Sequence, residues 1–338
     1  MKKNFTTSSF PSGDLCALLS RTVLGTNGAK YQHLDTEERL REMDNPLYLS
    51  LIRKNKTIAN VTFCKREEDW YVRYFAFDSR FQSSGKENKK KKNSSLLKLE
   101  LKQFFQDNLQ NGSAKQFYAY VDSENVRSKQ MTEVFGFKRI AQIQTTTFSR
   151  IRPKSKLQIT SITNKKEIND LVAPAFKSNA YYTNHHVLNS TGTFYVAKKE
   201  GRIVAFAKLY KANWKIHALP GKFGKKLVKI VPYIPIIRKI ITPNKFSFLV
   251  PEAVWVANHN PMVLSDFFES VLKKEDKKTI MWWNETNNRL LNNVKESVKW
   301  GLLSKISKPK KVDLVSLSNA EDAINEAREI YTVGIDFI

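Results

Sequence analysis

Four histidines and one glutamate are of a type that could move a proton near neutral pH. His185 and His186 adjoin Tyr181 and Tyr182, His217 lies in a lysine-rich stretch, and His259 follows an apolar run. Glu252 precedes residues 253–257, which read as a strand. Imidazole titrates near neutrality, and a carboxylate is the other common proton acceptor, so His217, His259 and Glu252 are the candidate general bases. Each also has an ordinary reading as a structural or solvated side chain. Other chemistry lacks its signature. No Cys/His spacing suggests zinc, so no metal is expected. A Walker-type loop, a Gly-x-Ser-x-Gly elbow and a dinucleotide fingerprint are all missing.

The elements that must carry these residues occur twice. Residues 48–66 read YLSLIRKNKTIANVTFCKR and residues 193–211 read TFYVAKKEGRIVAFAKLYK. In each, period-two alternation flanks a polar turn, the pattern of a β-hairpin with one buried face. A second echo pairs residues 116–143 with 279–306. Each copy predicts an aromatic strand, a break at Asp122 or Asn284, an amphipathic helix and a strand opened by Gly136-Phe137 or Trp300-Gly301. A helix precedes each block, at 95–108 and 265–274. The order is hairpin, strand, helix, strand, helix, strand, with a linker near 150–156 where Arg-Pro-Lys-Ser-Lys interrupts the pattern.

The chain has 338 residues, enough for about two domains, and 41% hydrophobic residues, which excludes a disordered basic tail. Cys16 and Cys64 cannot build a disulfide framework, and no apolar run reaches the roughly 18 residues that span a bilayer, so a cytoplasmic protein is expected. The net charge of +25 fits an anionic partner, but 42 of the 57 basic residues are Lys in a chain also rich in Asn and Ile, so part of it is background.

The run from Tyr120-Val121-Asp122 through Asn125-Val126-Arg127-Ser128 to Phe135-Gly136-Phe137, with the hairpin and the strand 70–77 before it, resembles the GNAT superfamily of N-acyltransferases. The resemblance implies an α/β (α+β) fold of two tandem GNAT-like domains, each a mixed central sheet flanked by helices. They would span 1–152 and 153–318, with a basic apolar insert at 214–245 and a C-terminal helix and tail at 319–338. It also implies acyl-CoA or acetyl-CoA as substrate. The donor's pantetheine arm would lie like an added strand where two parallel strands splay after 70–77, involving Phe75, Phe77 and Asn125. Its phosphates would meet Gln82, Ser83, Ser84, Gly85 and Lys86, where the family keeps a glycine-rich loop and this chain keeps one glycine before a lysine run. Phe75 and Phe77 read equally as core residues. Thr132 stands where many members have a tyrosine acid, and the second copy has no glycine in its loop, so it is not expected to bind CoA in the ordinary way.

Residues 198–245 hold thirteen Lys/Arg against one acid, Glu200, a net of +12. Pro220, Pro232, Pro235 and Pro243 break them into short pieces with apolar and lysine faces, which suits an anionic membrane surface, a long acyl chain or plain packing. Nucleic acid ranks lowest, because Arg is scarce. Together these readings predict transfer of an acyl group from acyl-CoA, or acyl carrier protein, to a small-molecule or lipid-like amine, with peripheral membrane contact. The competing reading is a GNAT-fold binding protein without catalysis.

Overall fold

The computed structural model describes residues 5–26, 28–66, 68–78, 91–306, 309–319 and 328–337. Its strands are β1 (Phe5–Ser8), β2 (Lys30–His33), β3 (Pro46–Arg53), β4 (Lys56–Arg66), β5 (Asp69–Phe77), β6 (Gln116–Asp122), β7 (Lys138–Ser149), β8 (Gln158–Ile162), β9 (Thr193–Lys199), β10 (Arg202–Ala218), β11 (Phe246–Val256), β12 (Thr279–Glu285) and β13 (Lys311–Ser318). The helices are α1 (Gly13–Ser20), α2 (Thr36–Arg41), α3 (Lys91–Gln110), α4 (Val126–Phe135), α5 (Lys165–Phe176), α6 (His185–Asn189), α7 (Gly224–Ile230), α8 (Pro261–Lys274), α9 (Arg289–Val294) and α10 (Leu302–Ile306).

The chain gathers into two compact units that interleave in sequence rather than meeting at one cut near 152. Unit 1 comprises Met1–Val23, Asp35–Ile140 and Asp313–Ala323; unit 2 comprises Leu24–Leu34, Ala141–Val312 and Ile324–Ile338. Within unit 1 the strand order is β1-β3-β4-β5-β6-β13, and within unit 2 it is β8-β9-β10-β11-β12-β7. Both orders run through three antiparallel pairings and then one parallel pairing, β5 with β6 and β11 with β12. The last strand of each sheet comes from the other half of the sequence: β13 serves unit 1, and most of β7 serves unit 2.

The two predicted hairpins form with the same turn. Lys54-Asn55 and Glu200-Gly201 are two-residue connections with positive φ throughout, 48° and 57° in the first, 52° and 75° in the second. That backbone is the type I′ turn, whose twist matches its flanking strands. Inward residues then meet helices. In unit 1, Phe63, Trp70 and Phe117 pack with Phe105 of α3 and with Phe135 and Phe137. In unit 2, Leu264, Phe267, Phe268 and Val271 of α8 pack under Leu209, Leu249, Ile280 and Trp282.

Three local expectations change. Gly301 opens the short helix α10 rather than a strand. Gly301 takes φ +98°, and Leu303 donates its N–H to Ser149 Oγ at 3.1 Å, which turns the chain inward. The strand comes later, where KVDLVSLS alternates with period two. The insert also starts later than 214, because Trp214–Ala218 prolongs β10 and pairs with β2. Of the expected helix at 319–331, residues 320–327 lie outside the described residues; from Arg328 to Val333 the chain is not helical and pairs with Ala180 at Ile330, and a short 3-10 turn follows at Gly334–Phe337.

Candidate active site

In unit 1 the parallel ladder of β5 and β6 runs through Asp69↔Gln116 and Trp70↔Phe117 and ends at Tyr71↔Tyr118. Both strands continue, to Phe77 and Asp122, so a wedge opens between them. A β-bulge accompanies it. Val72 faces Phe63 and Tyr74 faces Thr62, leaving Arg73 as the extra residue, which bends the strand away. Asp78 donates its N–H to Ile58 O at 2.8 Å. Backbone alternation from there directs Ala76 and Tyr74 toward β4, and the Phe75 amide to the opposite side, where β6 has departed. The Phe75 ring is 40% exposed, with the Phe77 ring edge-on at 5.1 Å. Tyr71 and Tyr118 stack at 5.3 Å across the ladder's last pair, and the Arg66 guanidinium lies 5.0 Å over Tyr71. At the outer end, buried Asp78 is ion-paired with Arg21 at 2.7 Å. Gln82, Ser83, Ser84, Gly85 and Lys86 lie outside the described residues.

The Asn125 to Gly136-Phe137 spacing is the length of α4 between its caps. Asn125 Oδ1 accepts from Ser128 N at 3.0 Å; at the other end Gly136 takes φ +90°, and Phe137 N donates to Thr132 O at 3.0 Å. Thr132 Oγ1 donates to Lys129 O at 2.8 Å, which ties the hydroxyl standing at the family's acid position to its own helix. Asn125 therefore orients α4 at the mouth of the wedge. Asn125→Ala is expected to lower stability by about 1 kcal/mol through the lost cap, measured by urea unfolding, whereas Asn125→Asp keeps it.

The equivalent wedge in unit 2 is occupied. β11 and β12 share the pair Leu249↔Ile280 and then part. Across β11 from β10, Ala253 (φ +51°) and Val254 form the matching bulge opposite Ala207. The C-terminal tail bonds to both parted strands. Ile330 N donates to Glu285 Oε2 at 2.7 Å and Thr332 Oγ1 to Trp283 O at 2.9 Å on β12. On β11, Glu252 accepts from Tyr331 Oη at 2.9 Å, Gly334 N at 2.8 Å and Tyr210 Oη at 3.0 Å. A Cβ on Gly334 would sit 3.0 Å from Glu252 Cβ and 3.1 Å from Pro251 O, so the fit admits little more than glycine. Phe337 seals the end against Trp283 and Trp214, each at 5.4 Å.

The three base candidates are held by different partners. Glu252 is 1% exposed; burial raises its carboxyl above the ordinary value, against the pull of the Tyr331, Tyr210 and Gly334 hydrogen bonds. With three donors and no solvent it positions the tail rather than accepting a proton from substrate. His217 Nε2 meets Gln32 Oε1 at 3.0 Å. His259 is exposed just beyond β11, with Nδ1 2.7 Å from Asn293 Nδ2. The sequence reading missed Lys208, the cross-strand partner of Glu252. Its buried Nζ donates to Val187 O at 2.6 Å, Ser190 O at 2.8 Å and His186 O at 3.3 Å, the carbonyl end of α6. Burial pushes the Lys208 ammonium down to about 8, with the Glu252 charge opposing. The signal was present, since Lys208 falls on the inward phase of IVAFAKLY with Phe206 and Tyr210.

No family model and no curated protein matches this chain. Solved structures do. The N-myristoyltransferase of Saccharomyces cerevisiae with bound myristoyl-CoA aligns at TM-score 0.56 and 9% identity, over 98% of this chain and 86% of that one. A putative acetyltransferase from Pyrococcus horikoshii aligns at 0.51 and 12%, over 99% and 96%. A GCN5-related N-acetyltransferase from Sphaerobacter thermophilus aligns at 0.50 and 12%, over 94% and 96%. The likeness is one of fold: this chain has the GNAT-type acyltransferase architecture.

Proposed function

We propose that this protein is an N-acyltransferase that takes an acyl-CoA, or an acylated carrier protein, in the wedge of unit 1 and passes the acyl group to an amine. The observation that supports this reading most is the contrast between the two wedges. The tail bonds to both walls of the one in unit 2, whereas in unit 1 the Phe75 amide is directed to the side that β6 vacates. A pantetheine arm there would complete the ladder as an added strand. A backbone N–H beside the thioester carbonyl would stabilise the oxyanion of the tetrahedral adduct. The amine nitrogen forms the new C–N bond, the C–S bond breaks, and the amine proton leaves to a base while the thiolate departs. A thiol titrates near 8.5, so the thiolate leaves without a strong acid, consistent with a tied Thr132.

The acceptor in this reading is amphipathic, a lipid-like amine, because of the lysine-rimmed apolar insert. A panel of acyl-CoAs from acetyl to palmitoyl, assayed by thermal shift and by free-thiol release with added amines, tests it. Saturable stabilisation and amine-dependent thiol release are expected. Stabilisation without turnover on any amine would assign the chain as a binding protein, and no stabilisation at any chain length would remove acyl-CoA as the donor.

A further inference from the structure

We propose that the segment Phe223–Lys239 of unit 2 is a docking surface for an anionic phospholipid bilayer. Among the described residues, sixteen large hydrophobic side chains are exposed, and six of them fall here: Phe223, Leu227, Ile230, Tyr233, Ile234 and Ile236. Tyr233 is 82% exposed and Phe223 60%. Large apolar groups concentrated in one short segment mark an interaction site, whereas scattered ones do not.

The segment is fixed to the unit by its inner face, so the outer face is a standing feature. Val231, Ile240 and Ile241 are buried with Trp214, Phe246 and Phe248, and Ile216 N donates to Pro243 O at 2.7 Å. At about 100° per residue, the helical segment from Phe223 divides into three stripes. Gly224, Val228 and Val231 face inward; Phe223, Leu227 and Ile230 form an exposed apolar stripe; Lys222, Lys225, Lys226 and Lys229 form an exposed cationic one. Pro232 and Pro235 then keep the chain in short turns, at Val231–Tyr233 and Ile237–Lys239, which present Tyr233, Ile234 and Ile236 and then Arg238 and Lys239.

The charge selects the partner. No Asp or Glu occurs between Glu200 and Glu252. None of the six basic side chains at 222, 225, 226, 229, 238 and 239 is ion-paired among the described residues. A second copy of the same face would be repelled. Nucleic acid would leave four aliphatic side chains, Leu227, Ile230, Ile234 and Ile236, without a base to stack on. An anionic bilayer satisfies both stripes, the apolar one entering the headgroup boundary and the lysines meeting lipid phosphates. Tyr233 suits that boundary, with an apolar ring and a polar hydroxyl.

Flotation of the full chain with vesicles tests this independently of any acyl transfer. Vesicles of phosphatidylcholine alone are compared with vesicles containing 30% phosphatidylglycerol, about a third anionic lipid as on a charged leaflet. Binding is expected to the anionic vesicles only, weakened by salt and unaffected by excess RNA. The exposed triple variant Phe223→Ser/Ile230→Ser/Tyr233→Ser should lose at least about tenfold in vesicle affinity, and Lys225→Glu/Lys226→Glu/Lys229→Glu about 100-fold or more. Both replace exposed side chains, and unchanged thermal unfolding would confirm their fold. Failure of the wild type to float, loss of flotation to RNA competition, or undiminished binding by the folded serine variant would each overturn the proposal.

Discussion

Glu252→Ala is expected to destabilise unit 2 by about 3–5 kcal/mol, the range for removing one partner from a buried polar network. The carboxylate is the shared acceptor of Tyr210, Tyr331 and Gly334, all of them buried. Truncation leaves two phenols and a backbone N–H without that acceptor, and leaves Lys208 without the nearby negative charge that favours its charged form. Urea unfolding reports the loss, and proteolysis near Tyr331 should accelerate as the tail comes away from β11. Glu252→Gln keeps the shape and one acceptor oxygen and should cost less. The pH dependence separates charge from shape. Burial raises the folded-state pKa of Glu252 above its unfolded value. Between those two values the folded protein binds more protons, so this group's contribution to stability grows as pH falls through the raised pKa and is lost as pH rises through it. Lys208 has the opposite sign. Its folded value near 8 lies below the unfolded 10.5, so its contribution rises as pH climbs from about 8. The Gln variant should lose the acid-side component and retain the alkaline one; an unchanged profile would show that Glu252 carries none of it.

Phe75→Pro is the second large effect, on catalysis instead of stability. Proline deletes the Phe75 N–H, which with that of Phe77 is directed to the side of β5 that β6 vacates, and leaves the donors of Tyr74 and Ala76 to the β4 ladder. The extended backbone of Tyr74 already suits a residue before proline. Loss of one oxyanion donor is typically worth 10²–10³ in kcat, so kcat/KM for acyl transfer should fall by about 100-fold or more. Phe75→Ala removes the exposed ring and keeps the amide, and should retain most of kcat. If the proline variant, folded by circular dichroism, turns over at the parental rate, the thioester carbonyl lies elsewhere.

What could be read along the chain was what local periodicity encodes. The polar pairs Lys54-Asn55 and Glu200-Gly201 fixed both hairpin turns, and Asn125 with Gly136 marked the two ends of α4. What could not be read was decided by partners far away in sequence. Gly301 resembles Gly136 as a strand opener, but the Ser149 hydroxyl, 154 residues from Leu303, draws the next residues into a helical turn. Glu252 looked like a base before a strand; its phenol partners at 210 and 331 turned it into an anchor. The tail carries no pattern announcing that it lies in the wedge of unit 2, because its contacts are hydrogen bonds to Glu285, Trp283 and Glu252 rather than a repeat.

The exchange of outer strands sets a timetable for synthesis. A ribosome that has delivered residue 152 has made every strand of unit 1 except β13, and its sheet then ends at β6, whose far edge offers unpaired backbone. It has also already made β7, whose partner β12 is 130 residues of chain away at Thr279↔Ser149. Both sheets thus close late, after residues 279 and 311, and through long loops rather than local steps. Unit 1, although most of its strands are made first, is therefore the unit whose sheet is completed last, after β12 has already been delivered to unit 2.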